Sequence, residues 1–156
     1  MEERLEIAKQ LMLGLLEKMK MNTILEGDLR EGDVYLEIRS DEEGILIGKH
    51  GRTLESLQFI INRMVNKRLK EPVRVILDIN DYRKRRADSL RKLALRVGER
   101  AKTKGCSLIV GPFNAHDRRI IHMALKEDPS MRTESLGEGE MKRIKVIPPK
   151  KEEREA

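Results

Sequence analysis

A chain of 156 residues that is 38% apolar and 38% charged holds material for two small hydrophobic cores but not for one large one. Its 33 Lys and Arg against 27 Asp and Glu leave a basic surplus of six, which favours a polyanionic partner. The single cysteine, Cys106, excludes an intramolecular disulfide and a cysteine metal cluster, and no apolar run approaches the roughly 20 residues of a membrane span.

The opening "MEERLEIAKQ" starts on acids, without the basic and apolar segments of a signal peptide, so the chain reads as soluble and cytoplasmic. Leu5, Ala8, Met12, Leu15 and Met19 recur every three or four residues and predict an amphipathic helix over about 2–20, with that stripe in the core. "NTILEG" at 22–27 is a candidate strand. "VYLEI" at 34–38 and "VRVILDI" at 73–79 alternate apolar and polar residues, as strands with one buried face do. Between them, Ile45, Leu46 and Ile47 form a short helical turn, and Leu54, Leu57, Ile61, Met64 and Val65 keep the period of a longer helix. The order of elements in the first part is therefore αββααβ.

At Tyr82 the composition changes. Residues 82–104 hold ten basic and two acidic side chains, 10 − 2 = +8, which exceeds the surplus of the whole chain. Leu90, Leu93, Val97 and Ala101 keep helical spacing within it, which predicts a docked helix with a basic outer face. "CSLIV" at 106–110 suits a strand, "NAHDRRIIHMALKED" a helix stopped by Pro129, and "RIKVI" at 143–147 a last strand. The tail at 149–156 has balanced charge and no apolar period, and reads as disordered. The fold class is α+β: two small α/β-sandwich domains at 1–80 and 81–148.

"GILIGKHGRT" at 44–53 invites a nucleotide-binding reading that its spacing refutes. A phosphate-cradling P-loop needs four residues between its first glycine and its Gly-Lys pair, then Ser or Thr. Gly44 and Gly48 enclose three, and His50 follows Lys49. The glycines at 48 and 51 instead let the backbone turn sharply between two helices and approach a ligand closely. Backbone N–H groups at the head of the second helix can then receive phosphate oxygens, with Lys49 and Arg52 adding charge and His50 a donor or a stacking ring.

This pattern resembles a KH domain, whose GXXG loop clamps single-stranded RNA or DNA. The element order matches the type II arrangement over residues 1–80. The resemblance implies nucleic-acid contacts at Gly48, Lys49, His50, Gly51 and Arg52, and a base groove for which Ile45, Ile47, Leu54 and Ile76 are candidates. In the second part, Arg118 and His122 lie one helical turn apart, and the surrounding sequence resembles the R-3-H (Arg-x-x-x-His) domain, which binds single-stranded nucleic acid. Arg118 and His122 carry its motif, and Arg143 falls on the basic position before the last strand. Arg can make a bidentate phosphate contact, and His can donate to a phosphate or stack on a base.

A KH domain followed directly by an R-3-H domain resembles the bacterial Jag (KhpB/EloR) family. That resemblance implies a cytoplasmic single-stranded RNA-binding protein, a post-transcriptional regulator or RNA chaperone, with single-stranded DNA as a further ligand. It also implies pairing with itself or with a small KH-domain protein. Family members commonly begin with a separate Jag domain and a linker, whereas this sequence starts at the KH domain, so roles in cell-envelope growth and cell shape that depend on that part are not implied. The alternative is a protein-interaction adaptor in envelope or division control that touches RNA incidentally, but such an adaptor has no need of +8 on one helix.

No catalytic residues, metal ligands or cofactors are expected. A nuclease needs clustered carboxylates or a histidine with an activated nucleophile. Asp78 and Asp81 in "DINDY" read as a strand end and a helix cap, and His116 and His122 are six residues apart, off a common helical face.

Overall fold

A computed structural model describes residues 1–150, with the last six residues of the expected tail lying outside them. The chain divides into two compact units between Arg83 and Lys84.

In the first unit, helix α1 (Glu2–Lys18) buries Ala8, Met12 and Leu16 at 0–1% exposure, a stripe spaced by four residues. Of the expected stripe, Leu5 and Leu15 pack half-buried against the core beside the fully buried Leu16, and Met19 lies past the helix end, 36% exposed. Strands β1 (Ile24–Arg30) and β2 (Asp33–Arg39) form a hairpin closed by Glu31 and Gly32 alone, both at positive φ. Such a two-residue turn matches the twist of the strands it joins. The first strand therefore runs three residues beyond the expected 22–27 segment.

Helix α2 (Glu43–Ile47), a 3-10 turn (Lys49–Gly51) and helix α3 (Arg52–Arg68) form the crossover to β3 (Val75–Ile79), which pairs parallel to β2. The sheet order is β1-β2-β3. Val34, Leu36, Ile38, Val75, Leu77 and Ile79 face the helices at 0–2% exposure, and Leu54, Leu57, Ile61 and Val65 of α3 close the core.

The outer edge of β3 is sealed by side chains that apolar periodicity does not single out. Asn66 exchanges hydrogen bonds with the backbone of Val73, Asn62 does so with Val75, and Gln58 accepts from the Leu77 N–H, all at 2.7–3.0 Å. These amides recur every four residues along α3 and occupy backbone groups that would otherwise offer an open sheet edge.

Helix α4 (Tyr82–Lys104) starts within the first unit and supplies the second with Leu90, Ala94, Val97, Gly98 and Ala101. The Asp78 carboxylate, near the strand end, accepts from the Arg83 N–H at 3.3 Å and so satisfies one of the free N–H groups at the head of α4. Strand β4 (Leu108–Phe113) begins and ends later than the 106–110 segment, and its register shifts between Val110 and Phe113, where Gly111 has φ +115. Helix α5 (Ala115–Lys126) follows, N-capped by Asn114, whose side chain accepts from the Asp117 N–H at 2.8 Å.

Strand β5 (Arg132–Leu136) was not expected; β6 (Lys142–Ile147) was. The sheet is antiparallel, in the order β4-β6-β5. Its core joins Phe113, Ile121, Leu125, Met131, Ile144 and Val146 to the buried face of α4. Asp117, 2% exposed, is held by Arg86 of α4 at 2.8 Å, so α5 is tied to α4 by a buried ion pair as well as by apolar packing.

Candidate nucleic-acid interface

The glycine loop turns through three left-handed positions. Gly48 has φ +71, His50 φ +57 and Gly51 φ +80. A Cβ on Gly48 would lie 2.2 Å from Thr53 Oγ1, and one on Gly51 would lie 2.9 Å from Tyr82 Cε1, so both conformation and space demand glycine at both positions. His50 sits where a side chain is tolerated but uncommon; it is half-buried, less open than Lys49. Lys49 and Arg52 are exposed and have no ion-pair partner among the described residues. α3 starts at the loop without a side-chain cap, so its first N–H groups and the two cations define one positively charged corner.

The groove residues separate. Ile45 is 62% exposed beside the loop, but Ile47 and Leu54 are buried in the core at 7% and 1%. Ile76 alternates with the buried Val75 and Leu77, so it points to the sheet face away from the helices. Of the four, only Ile45 is available at the loop. Burial of the other apolar residues is set by the helix and strand periods and not by proximity to the glycines.

Arg118 and His122 lie on one face of α5, as their spacing implied, and both meet internal partners. Arg118 Nη1 donates to the backbone carbonyls of Phe113 at 2.7 Å and Glu140 at 3.1 Å, joining the end of β4 to the β5–β6 turn. The His122 ring nitrogens meet the hydroxyls of Thr133 and, at 3.1 Å, Ser135. Burial, with the Arg118 charge beside it, pushes the His122 imidazole below its ordinary pKa and favours the neutral ring. Arg143 does not join them. It alternates with the buried Ile144 on β6 and stands exposed on the other face of the strand.

Seven of the ten basic residues of α4 are exposed: Lys84, Arg85, Arg91, Lys92, Arg96, Arg100 and Lys104. Arg83, Arg86 and Lys102 turn instead to Glu55, Asp117 and Asp128. Lys92, Arg96 and Arg100 follow one another every four residues, a rise of about 6 Å per step, forming a row of cations along the helix.

Glu37, Asp78 and Asp81 place carboxylate oxygens within 4.8 Å of one another, a grouping that the spacing of the sequence did not reveal. Burial, with Asp78 and Asp81 adding to it, pushes the Glu37 carboxyl above its ordinary range although the Asp81 N–H donates to it. Backbone N–H groups of Ile79 and Arg83 occupy Asp78, and Arg39 pairs with Asp81 at 3.3 Å. These contacts account for the cluster as the junction of strand and helix. Among the described residues, no helix is long and apolar enough to cross a membrane.

Comparison with known proteins matches both units. The family described as "KhpA/KhpB, KH domain" matches residues 6–79, and the R-3-H domain family matches residues 88–148. The chain is similar to a protein of Clostridium symbiosum named "RNA-binding protein KhpB", 37% identical over 87% of this chain and 61% of the relative. A protein of the same name from Lactiplantibacillus plantarum is 30% identical over 81% of this chain and 39% of the relative. A third, from Bacillus subtilis, is 26% identical over 83% and 67%. The chain thus spans about three fifths of the length of the first relative and two fifths of the second.

Proposed function

The chain belongs to the family that joins a KH domain of the KhpA/KhpB type to an R-3-H domain, and on that premise we propose that it binds single-stranded RNA. The observation that carries this reading is the corner at residues 48–52. Two glycines whose geometry excludes a side chain hold exposed Lys49 and Arg52 at the uncapped head of α3. Such a corner takes phosphate oxygens through backbone N–H groups and point charges, without regard to base identity. The cation row on α4 offers further phosphate contacts of the same kind. The relatives named RNA-binding protein KhpB support the same ligand.

Binding without catalysis, in the cytoplasm, as a post-transcriptional regulator or RNA chaperone, is the role we infer. Pairing through the KH domain, with a second copy or a small KH-domain protein, is part of the same reading. It draws on Phe59 and Ile60, which are 68% and 42% exposed on α3 although both are large and apolar.

The test is a titration of the intact chain with a labelled single-stranded oligoribonucleotide and with a duplex of equal length. Tighter binding of the single strand is expected. Equal affinity for both, or none for either, would remove the reading.

A further inference from the structure

The two sheets carry opposite net charge on the faces their helices leave open. In the first, the residues that alternate away from the core include the carboxylates Glu26, Asp28, Glu37 and Asp78, which outnumber the cations Arg30 and Arg39. In the second, Ile144 and Val146 point into the core at 0% exposure, so Arg143 and Lys145 point the other way. β6 is the middle strand, which puts these two cations at the centre of the open face, roughly 7 Å apart along the strand. The register sets Ile109 of β4 and Glu134 of β5 on either side of Lys145, and Arg132 of β5 opposite Ile147. Among the described residues, the strands therefore offer three cations against one carboxylate on this face, beside an isoleucine that is 55% exposed.

Arg118 and His122 belong to the opposite side. Thr133 and Ser135, which His122 contacts, pair with Val146 and Ile144 and so share the face that the helices cover. Arg143, which the motif groups with Arg118 and His122, stands with Lys145 and Arg132 instead.

We propose that the open face of the β4-β6-β5 sheet is a second track for single-stranded RNA, with backbone phosphates on Arg132, Arg143 and Lys145 and a base against Ile109. The inference rests on the proposed function and extends it to a surface that shares only Arg143 with the sequence motifs. Charge chooses the occupant: a phosphate backbone is attracted here and repelled by the acidic face of the first sheet. Two cations on alternate residues of one extended strand can meet phosphates of one extended nucleic-acid strand, as a row on a helix does.

The experiment uses the intact chain, a single-stranded oligoribonucleotide and two double variants, Arg143→Gln with Lys145→Gln and Arg143→Glu with Lys145→Glu. Lys49→Asp is measured in parallel, and thermal melting is recorded for each. Both sheet variants should melt close to the parent, bind several-fold more weakly, and lose about 1.4 from the slope of log affinity against log salt, at about 0.7 per phosphate contact. The glutamine pair keeps the test valid if charge reversal next to Glu134 unfolds the sheet. A folded glutamine pair with the parent's affinity and slope, while Lys49→Asp weakens binding, overturns the second track and leaves the proposed function standing. No binding by the unaltered chain overturns both.

Discussion

His122 Nε2 lies 3.1 Å from the Ser135 hydroxyl, and its other ring nitrogen meets Thr133, so one imidazole on α5 holds two alternate side chains of the edge strand β5. Hydroxyls can donate or accept, which lets a neutral ring satisfy both contacts. Losing them in His122→Ala should cost about 1–2 kcal/mol of stability. Arg118→Ala, which frees the end of β4 from the β5–β6 turn, should act in the same direction. Thermal melting measured with RNA affinity on the same samples checks this. A loss of affinity with unchanged melting would assign both residues to the ligand instead.

The lowered pKa of His122 gives stability a pH dependence of fixed sign. The unfolded state, with the ordinary value of 6.5, binds the proton more readily than the folded state. This contribution is therefore complete above about pH 6.5 and is lost as pH falls through the window between the unfolded and the lower folded value. The melting temperature of the parent should drop between pH 7.5 and 5.5 by more than that of His122→Ala. Equal drops would show that His122 does not titrate as its surroundings imply.

Gly48→Ala should destabilise the first unit and impair the loop together. The alanine must adopt φ near +71, and its methyl would sit 2.2 Å from Thr53 Oγ1. At φ +71 and ψ −177, a region essentially open to glycine alone, the backbone conformation by itself costs on the order of 1–3 kcal/mol. A variant that melts like the parent would mean that the loop relaxes freely.

Cations on α4 should separate into two classes. Arg86→Ala leaves the buried Asp117 carboxylate without this partner and should cost roughly 3–5 kcal/mol. Arg96→Ala, on the exposed row, should change stability by less than about 0.5 kcal/mol while weakening RNA binding. Calorimetry of both variants with a parallel titration decides it, and equal melting of the two would contradict the assignment.

Alternation in "VYLEI" and "VRVILDI" and the helical period of Leu54, Leu57, Ile61 and Val65 made the first unit legible, because those residues meet one core from one side. β5 was not legible. "RTESL" is an edge strand whose inner face is met by His122 rather than by an apolar layer, so Thr133 and Ser135 replace the valines that would mark it. The site was half legible for a similar reason. Glycine spacing revealed the loop because left-handed backbone restricts residue type, whereas the face occupied by Arg143 depends on strand register, which a spacing motif does not encode. The amides Gln58, Asn62 and Asn66 look like solvated helix polar residues until β3 is placed beside them.

Replacing Lys49→Asp together with His50→Asp should weaken RNA binding several-fold with the fold retained. Aspartate tolerates the left-handed backbone that His50 adopts at φ +57, and two carboxylates at the head of α3 would repel phosphate. Native circular dichroism with unchanged affinity would reduce the loop to a turn.

The most direct test of phosphate-led binding is the affinity of the unaltered chain for one single-stranded oligoribonucleotide across a series of salt concentrations. Contacts at the loop and along α4 predict that log affinity falls linearly with log salt, by about 0.7 for each phosphate neutralised, with a total slope of several such steps. An affinity that holds constant from low to moderate salt would contradict the account.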